Sequence, residues 1–249
     1  MRIFVINLPT SVDRRHAIMT QAAQLGLEIE ILDAINGKDL TEKQINELTK
    51  SHKDSGMTLG EVGCSLSHLS VYQKIADENI PLALIMEDDA EISNNIKTIA
   101  DKIKKINNPD KPNVFLLSKV NQYIDTGKKE IFPKYSLVKV LDADFSHGYI
   151  LNTFAARNLI NYLQPVWLEA DKWRFLIERN IVNVRAIIPP IINTSELALQ
   201  SSLEDERKNQ VARRIEIYDQ LKKERSLKVK LRLMIWRIFI RSWVKIVKQ

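Results

Sequence analysis

Ala83-Leu84-Ile85-Met86-Glu87-Asp88-Asp89 is an apolar run that climbs away from Pro81 and ends in three consecutive carboxylates. A short apolar run bounded by proline and a polar stop reads as a buried β-strand. Charges at the mouth of a core strand are costly unless something uses them. In open α/β sheets, ligands bind outside the carboxyl ends of the strands. Side chains alternate along a strand, so Glu87 and Asp89 project to one side and Asp88 to the other. Two hard oxygens at that place suit Mg²⁺ or Mn²⁺, which bind through carboxylates and substrate phosphates. The competing account is a solvated acidic turn in which Asp89 or Ser93 caps the next helix, since helix starts favour acidic residues.

Outward from this strand, the chain alternates strand and helix patterns. Arg2 to Leu8 and Glu28 to Asp33 read as strands flanking a helix that Ser11 opens and Gly26 closes. Thr41-Glu42-Lys43-Gln44 is a capping box. A polar stretch, 50–60, precedes a helix over 61–78 with Leu66, Leu69, Tyr72 and Ile75 at helical spacing. A helix is predicted over 93–106, strands over 113–118, 135–141 and 147–151, and a helix over 154–163. Asp171 opens a helix over 170–179, followed by a strand over 182–188 that Pro189-Pro190 stops. The alternation predicts an α/β fold with a mostly parallel central sheet.

The formal charge of +6 hides a division. Residues 207–249 carry 14 Lys and Arg against 3 Asp and Glu, whereas residues 1–206 carry 23 against 28. A mildly acidic domain, 1–205, thus bears a basic tail, 206–249, joined through a polar linker at 193–209. On a helical projection of the tail, Lys230, Arg237, Arg241, Lys245 and Lys248 share one sector and Trp236, Phe239 and Trp243 lie across from them. A cationic stripe opposite aromatics reads as an interfacial membrane helix, and a helix docked on the body or on a second subunit is the alternative. No run of about 18 uncharged apolar residues occurs. The single cysteine, Cys64, excludes an intrachain disulfide and fits a reducing compartment. The start of the chain has no secretory-signal pattern. The expected location is therefore cytoplasmic, on the inner face of the inner membrane.

Five segments, in order, resemble glycosyltransferase family 25 of lipopolysaccharide biosynthesis. They are Val5-Ile6-Asn7-Leu8 with Ser11 and Arg14-Arg15; Asp33-Ala34-Ile35-Asn36-Gly37; Leu59-Gly60-Glu61-Val62-Gly63-Cys64-Ser65-Leu66-Ser67-His68; Glu87-Asp88-Asp89; and Asp144-Phe145-Ser146-His147-Gly148-Tyr149-Ile150-Leu151 with the 165–173 segment. The resemblance implies a GT-A-like nucleotide-sugar-binding fold, a UDP-sugar donor and Mn²⁺ (or Mg²⁺). It also implies inverting transfer, often of galactose, to an oligosaccharide acceptor on the lipid A core.

On that footing Asp89 is the direct metal contact and Glu87 the second candidate; the usual acidic motif is D-x-D, and Glu87 departs from it by one methylene. Asn7, Arg14, Asp33, Glu61, Glu87 and Asp88 form the donor-binding set: arginine clamps phosphate, and Asn7 and Asp33 end adjacent strands. Asp171 is the favoured general base, with Glu169 its competitor and Asp144 the alternative. His68, two helical turns beyond Glu61, and His147 are open between structural and functional roles. Two other classes compete. A nucleic-acid-binding protein acting through the tail is disfavoured by the large aliphatics interleaved with its cations, so no nucleic acid is expected. A metal-dependent phosphohydrolase usually needs more ligands than one strand end supplies.

Overall fold

The computed structural model describes residues 1–50, 55–195 and 210–249. Residues 51–54 of the polar stretch and 196–209 of the linker lie outside the described residues. The core is a nine-stranded sheet in the order β11-β6-β7-β9-β5-β8-β3-β1-β2. Its strands are β1 (Arg2–Asn7), β2 (Glu30–Asp33), β3 (Leu82–Glu87), β5 (Asn113–Leu116), β6 (Gln122–Phe132), β7 (Tyr135–Asp142), β8 (Gly148–Asn152), β9 (Asn183–Ile188) and β11 (Ile246–Lys248). A small second sheet pairs β4 (Ala90–Ile92) with β10 (Ile192–Thr194).

The sheet is mixed, which corrects the expectation of a mostly parallel one. β1 runs parallel to β2 and β3, and β5 parallel to β9. β8 inserts antiparallel between β3 and β5, and β7, β6 and β11 extend the far side antiparallel. The reason is local. β6 and β7 are joined by a tight turn at Pro133-Lys134, where Lys134 has φ of 73°, and a tight turn between neighbours dictates antiparallel pairing. β6 was not evident in the sequence because its outer half is a polar, exposed edge strand with no apolar alternation.

Helices cover both faces. On one lie α3 (Leu59–Asp77), α5 (Thr153–Leu163) and α6 (Trp173–Glu178); on the other lie α1 (Val12–Gln24) and α4 (Ile96–Ile106). A further body helix among the described residues is α2 (Glu42–Leu48). In α4, Ile96, Ile99, Ala100 and Ile103 are buried at i, i+3, i+4 and i+7, and each isoleucine contributes about 1.5–3 kcal/mol by leaving water. α4 begins at Ile96, later than the sequence suggests, because Asn94 and Asn95 form a turn after β4. α6 likewise starts at Trp173, preceded by Lys172 rather than by a capping Asp171 side chain. The capping boxes Thr41/Gln44 and Thr58/Glu61 open α2 and α3.

Strand alternation sorts side chains between the two faces. Along β3, Ala83 and Ile85 enter the core under α3, whereas Leu82, Leu84 and Met86 enter the core under α4. The same alternation carries Glu87 to the α3 side. On β8, Tyr149 and Leu151 share that side with it.

Two of the matched segments meet backbone to backbone. A Cβ on Gly63 would stand 2.4 Å from the Ile35 carbonyl oxygen, and one on Gly37 would stand 1.8 Å from that of Leu59. Ser67 Oγ fastens the contact, accepting from the Ile35 amide at 2.8 Å and donating to the Gly63 carbonyl at 2.7 Å. Gly63→Ala is therefore expected to cost about 1–3 kcal/mol of overpacking, read as a lower urea midpoint. An unchanged midpoint would mean that the contact is slack.

The tail packs on the body through α7 (Val211–Lys223) and α8 (Leu227–Ile235). From α7, Arg214 meets Glu61 at 2.5 Å, and Tyr218 donates to Glu169. Between the two helices Arg225 meets Glu178 at 2.5 Å, and from α8 Arg232 donates to the Glu178 carbonyl. The reading of a helix running to the chain's last residues is corrected. The coil passes through a π turn at Trp236–Ile240 and a 3₁₀ turn at Arg241–Trp243, then extends into β11, which pairs with β6. The β-branched Val244, Ile246 and Val247 favour that extended ending.

Candidate active site

Register brings the site together. Met86 of β3 pairs with Gly148 of β8, so the residue before Gly148 lies beside Glu87, whose amide donates to the His147 carbonyl at 3.1 Å. His147 Nδ1 lies 3.6 Å from Glu87 Oε2 and 3.4 Å from Asp89 Oδ1. From α3, His68 Nε2 approaches Glu87 Oε1 at 3.3 Å, and Ser146 donates to the same oxygen. Behind His68 runs a buried relay: its Nδ1 contacts Tyr149 OH at 2.7 Å, which contacts Tyr72 OH at 2.7 Å.

One ligand atom from each of Glu87, Asp89 and His147 can be chosen so that all lie within 4.8 Å of one another. Cys64, His68 and Glu87 form a second such group sharing Glu87. Asp89 Oδ1 and His147 Nδ1 are buried without a hydrogen-bond partner, although they stand 3.4 Å apart. Such orphaned atoms call for an explanation, and an ion between them supplies one. Two carboxylates and an imidazole therefore fit a divalent first-row cation, and the imidazole favours Mn²⁺ over Mg²⁺.

Electrostatics concentrate here. Burial pushes the Glu87 carboxyl up, but His147 and His68 beside it outweigh that and hold the group well below the usual carboxylate range. Burial opposes a charge on His147, yet Asp89 and Glu87 raise its pKa to about 10. The signs fix a pH window for the metal-free protein. The Glu87 contribution to stability is present above its ordinary 4.5 and lost as pH falls. The His147 contribution is full below 6.5 and lost as pH rises towards about 10. In chelator, stability should therefore fall from pH 6.5 to 10 more steeply than in His147→Gln. Parallel thermal melts of the two proteins check this, and equal slopes would refute it.

Asp88 turns away from the other two carboxylates. It accepts from Asn7 Nδ2 at 2.7 Å and from Arg14 Nη1 at 3.2 Å, and burial raises its pKa despite both. Asn7 Oδ1 is buried and has no hydrogen-bond partner. Asn7 pairs with Asp33 across β1 and β2, and the exposed Asp33 carboxylate meets Arg15 at 3.5 Å. Glu61 accepts from the Thr58 amide at 2.9 Å and takes Arg214, so it closes the helix cap and anchors α7.

The candidate bases lie on two segments stapled together. Lys172 Nζ donates to Asp144 Oδ1 at 3.1 Å, and the Trp173 indole donates to the Phe145 carbonyl at 2.9 Å. Asn121 also donates to Asp144, at 2.6 Å. Asp171 is half-buried and its negative charge acts on Lys172 and on the buried Tyr72. Burial lowers the Lys172 pKa, but Asp171, Glu169 and Asp144 raise it on balance. Sequence reasoning left His68 and His147 undecided. The signal that places His147 is the register of the strand that follows it.

An acidic and histidine cluster at the carboxyl end of a central strand, faced by a stapled acidic loop, marks an α/β protein with a site whose donors fit a divalent cation. The family description "Glycosyltransferase family 25 (LPS biosynthesis protein)" matches residues 1–173, and the chain belongs to that family. Human procollagen galactosyltransferase 2 is 27% identical over 175 residues, covering 64% of this chain and 27% of that protein. Procollagen galactosyltransferase 1-A of Xenopus laevis is 33% identical over 95 residues, 35% of this chain and 16% of its own. A probable inactive glycosyltransferase 25 family member 3 of Bos taurus is 26% identical over 174 residues, 64% of this chain and 28% of its own. The chain thus spans about a quarter of the length of the first of these relatives. Among solved structures, a putative glucose-1-phosphate thymidylyltransferase from Bacillus anthracis covers 86% of this chain and 95% of its own. Identity there is 12% with a TM-score of 0.45, too loose a likeness to argue from.

Proposed function

We propose that this protein transfers a sugar, galactose foremost, from a UDP-sugar to a hydroxyl of a lipooligosaccharide or lipopolysaccharide acceptor, inverting the anomeric centre on a GT-A-like fold. The observation that carries the reading is the Glu87, Asp89 and His147 cluster at the end of β3 in a chain of this family. Galactosyltransferases among its relatives support the choice of sugar.

Asp89, Glu87 and His147 would hold the metal, Mn²⁺ or Mg²⁺. When bound, such an ion supplies Lewis-acid neutralisation of the diphosphate leaving group. The relay from Tyr72 through Tyr149 and His68 fixes the Glu87 carboxylate in one orientation. Asn7 offers its unpartnered Oδ1 to a donor hydroxyl or amide. Arg14 is held next to Asp88, where its remaining N–H groups suit a phosphate. Asp171 accepts the proton of the acceptor hydroxyl as that oxygen attacks the donor carbon from the face opposite the diphosphate. The Lys172–Asp144 and Trp173–Phe145 bonds keep that base and the His147 segment in a fixed relation.

We assign the C-terminal segment to an anionic membrane surface, the cytoplasmic face of the inner membrane in a cell that makes such acceptors. Leu227, Phe239 and Trp243 are 84%, 66% and 82% exposed, among lysines and arginines. No helix among the described residues is long and apolar enough to cross a membrane. Each basic residue near an anionic surface contributes roughly 1 kcal/mol. Phe239→Ser with Trp243→Ser should therefore cut sedimentation with phosphatidylglycerol vesicles severalfold while the fold stays intact. Unchanged sedimentation would remove the membrane assignment.

The function is tested by screening UDP-sugars for Mn²⁺-dependent transfer to truncated lipooligosaccharide. Transfer from UDP-galactose is expected. Release of free sugar without dependence on acceptor would replace transfer by hydrolysis.

A further inference from the structure

Away from the β3 site, a cavity of about 930 Å³ lies between the sheet and the C-terminal segment. Its apolar lining comes from both sides, Ile177, Val140 and Val184 from the body and Leu233 and Trp236 from the tail. Its charges are unbalanced. The two acidic lining residues are already engaged: Glu178 meets Arg174 at 3.0 Å and Arg225 at 2.5 Å, and Asp142 meets Arg174 at 3.7 Å. Five further cations line the cavity: Arg232 is held by the Glu178 carbonyl, and Lys111, Lys139, Arg241 and Lys248 have no ion-pair partner among the described residues. Cations gathered round an apolar hollow draw an anion to it. The volume is in the range of small-molecule sites.

We infer that this groove binds the phosphate headgroup of an anionic phospholipid, the phosphate among those four cations and the first methylenes of one chain against Trp236 and Leu233. A lipid is chosen over a soluble phosphate for two reasons. The lining is apolar beneath the cations, and the segment that supplies Trp236 also exposes Phe239 and Trp243. This deepens the membrane reading of the tail and rests on it only for the choice of a lipid. The groove is a discrete site that a single lipid molecule fills, whereas surface adsorption needs a bilayer.

The test uses the full-length protein and dihexanoylphosphatidylglycerol below its micelle-forming concentration, followed by titration calorimetry. Saturable one-site binding is expected. Lys139→Ala with Arg241→Ala should weaken it at least tenfold, whereas Lys102→Ala on α4 should leave it unchanged. All these side chains are exposed, so the fold should persist, and circular dichroism checks that it does. Lys111→Ala with Lys248→Ala is the second pair and should act in the same direction. Phe239→Ser with Trp243→Ser should keep monomeric lipid binding even as vesicle sedimentation falls, which separates this site from surface adsorption. Equal binding of dihexanoylphosphatidylcholine, equal binding of inorganic phosphate, or indifference to both pairs of substitutions would each overturn the inference.

Discussion

Asp89→Asn is expected to abolish sugar transfer while leaving the protein folded. The side chain is buried, and its Oδ1 has no hydrogen-bond partner to lose. Asparagine preserves the shape and removes the charge, so the metal-free protein should lose part of the His147 contribution to stability yet stay folded. What is lost is one of two carboxylates facing His147. Removing a ligand that holds the leaving group's counter-ion costs several kcal/mol in the transition state. At about 1.4 kcal/mol per decade, that is a loss of roughly a thousandfold or more in rate. Asp88→Asn is the informative contrast. Asp88 is bound to Asn7 and Arg14, so its substitution should act first on the joint between β3 and α1. Activity of Asp89→Asn within tenfold of wild type at saturating Mn²⁺ would end the assignment.

The second large effect concerns the base. Asp171→Asn should leave UDP-sugar binding nearly intact and lower turnover at least a hundredfold, the range typical of losing a positioned proton acceptor. Glu169→Gln should do something different. Glu169 accepts from Tyr218 and lies 3.8 Å from Arg214, so its charge holds α7 against the body. Its loss should lower the melting temperature and spare turnover. Substrate titrations of both variants beside their thermal melts decide the matter. An inert Glu169→Gln with an active Asp171→Asn would reverse the two roles.

The 83–89 stretch was legible because it states both its burial and its end: a short apolar run bounded by proline reads as a buried strand, and three consecutive carboxylates mark where that strand stops. Helix α3 was equally plain, since Thr58 and Glu61 announce its start and its apolar residues repeat at helical spacing. Strand direction was not legible. Val114 pairs antiparallel with Leu151 and parallel with Val184, and nothing in its own neighbourhood distinguishes the two. At the site, the carboxylates were visible as a cluster, whereas His147 and His68 were not. Each reaches Glu87 through long-range pairing, His147 across the β3–β8 register and His68 from a helix laid over the sheet. β11 escaped notice for the same reason: three residues acquire strand character only when the edge of β6 is offered to them.

Beyond α7, the C-terminal segment is fixed at two places, at Glu178 through Arg225 and Arg232 and at the sheet edge through β11. What lies between is an arch clamped at both feet. A body hung from one flexible thread keeps its rotational freedom, but a body gripped through a doubly anchored arch has lost most of it. Any surface that takes up Phe239 and Trp243 therefore sets the tilt of the whole sheet, and with it the direction in which the end of β3 points.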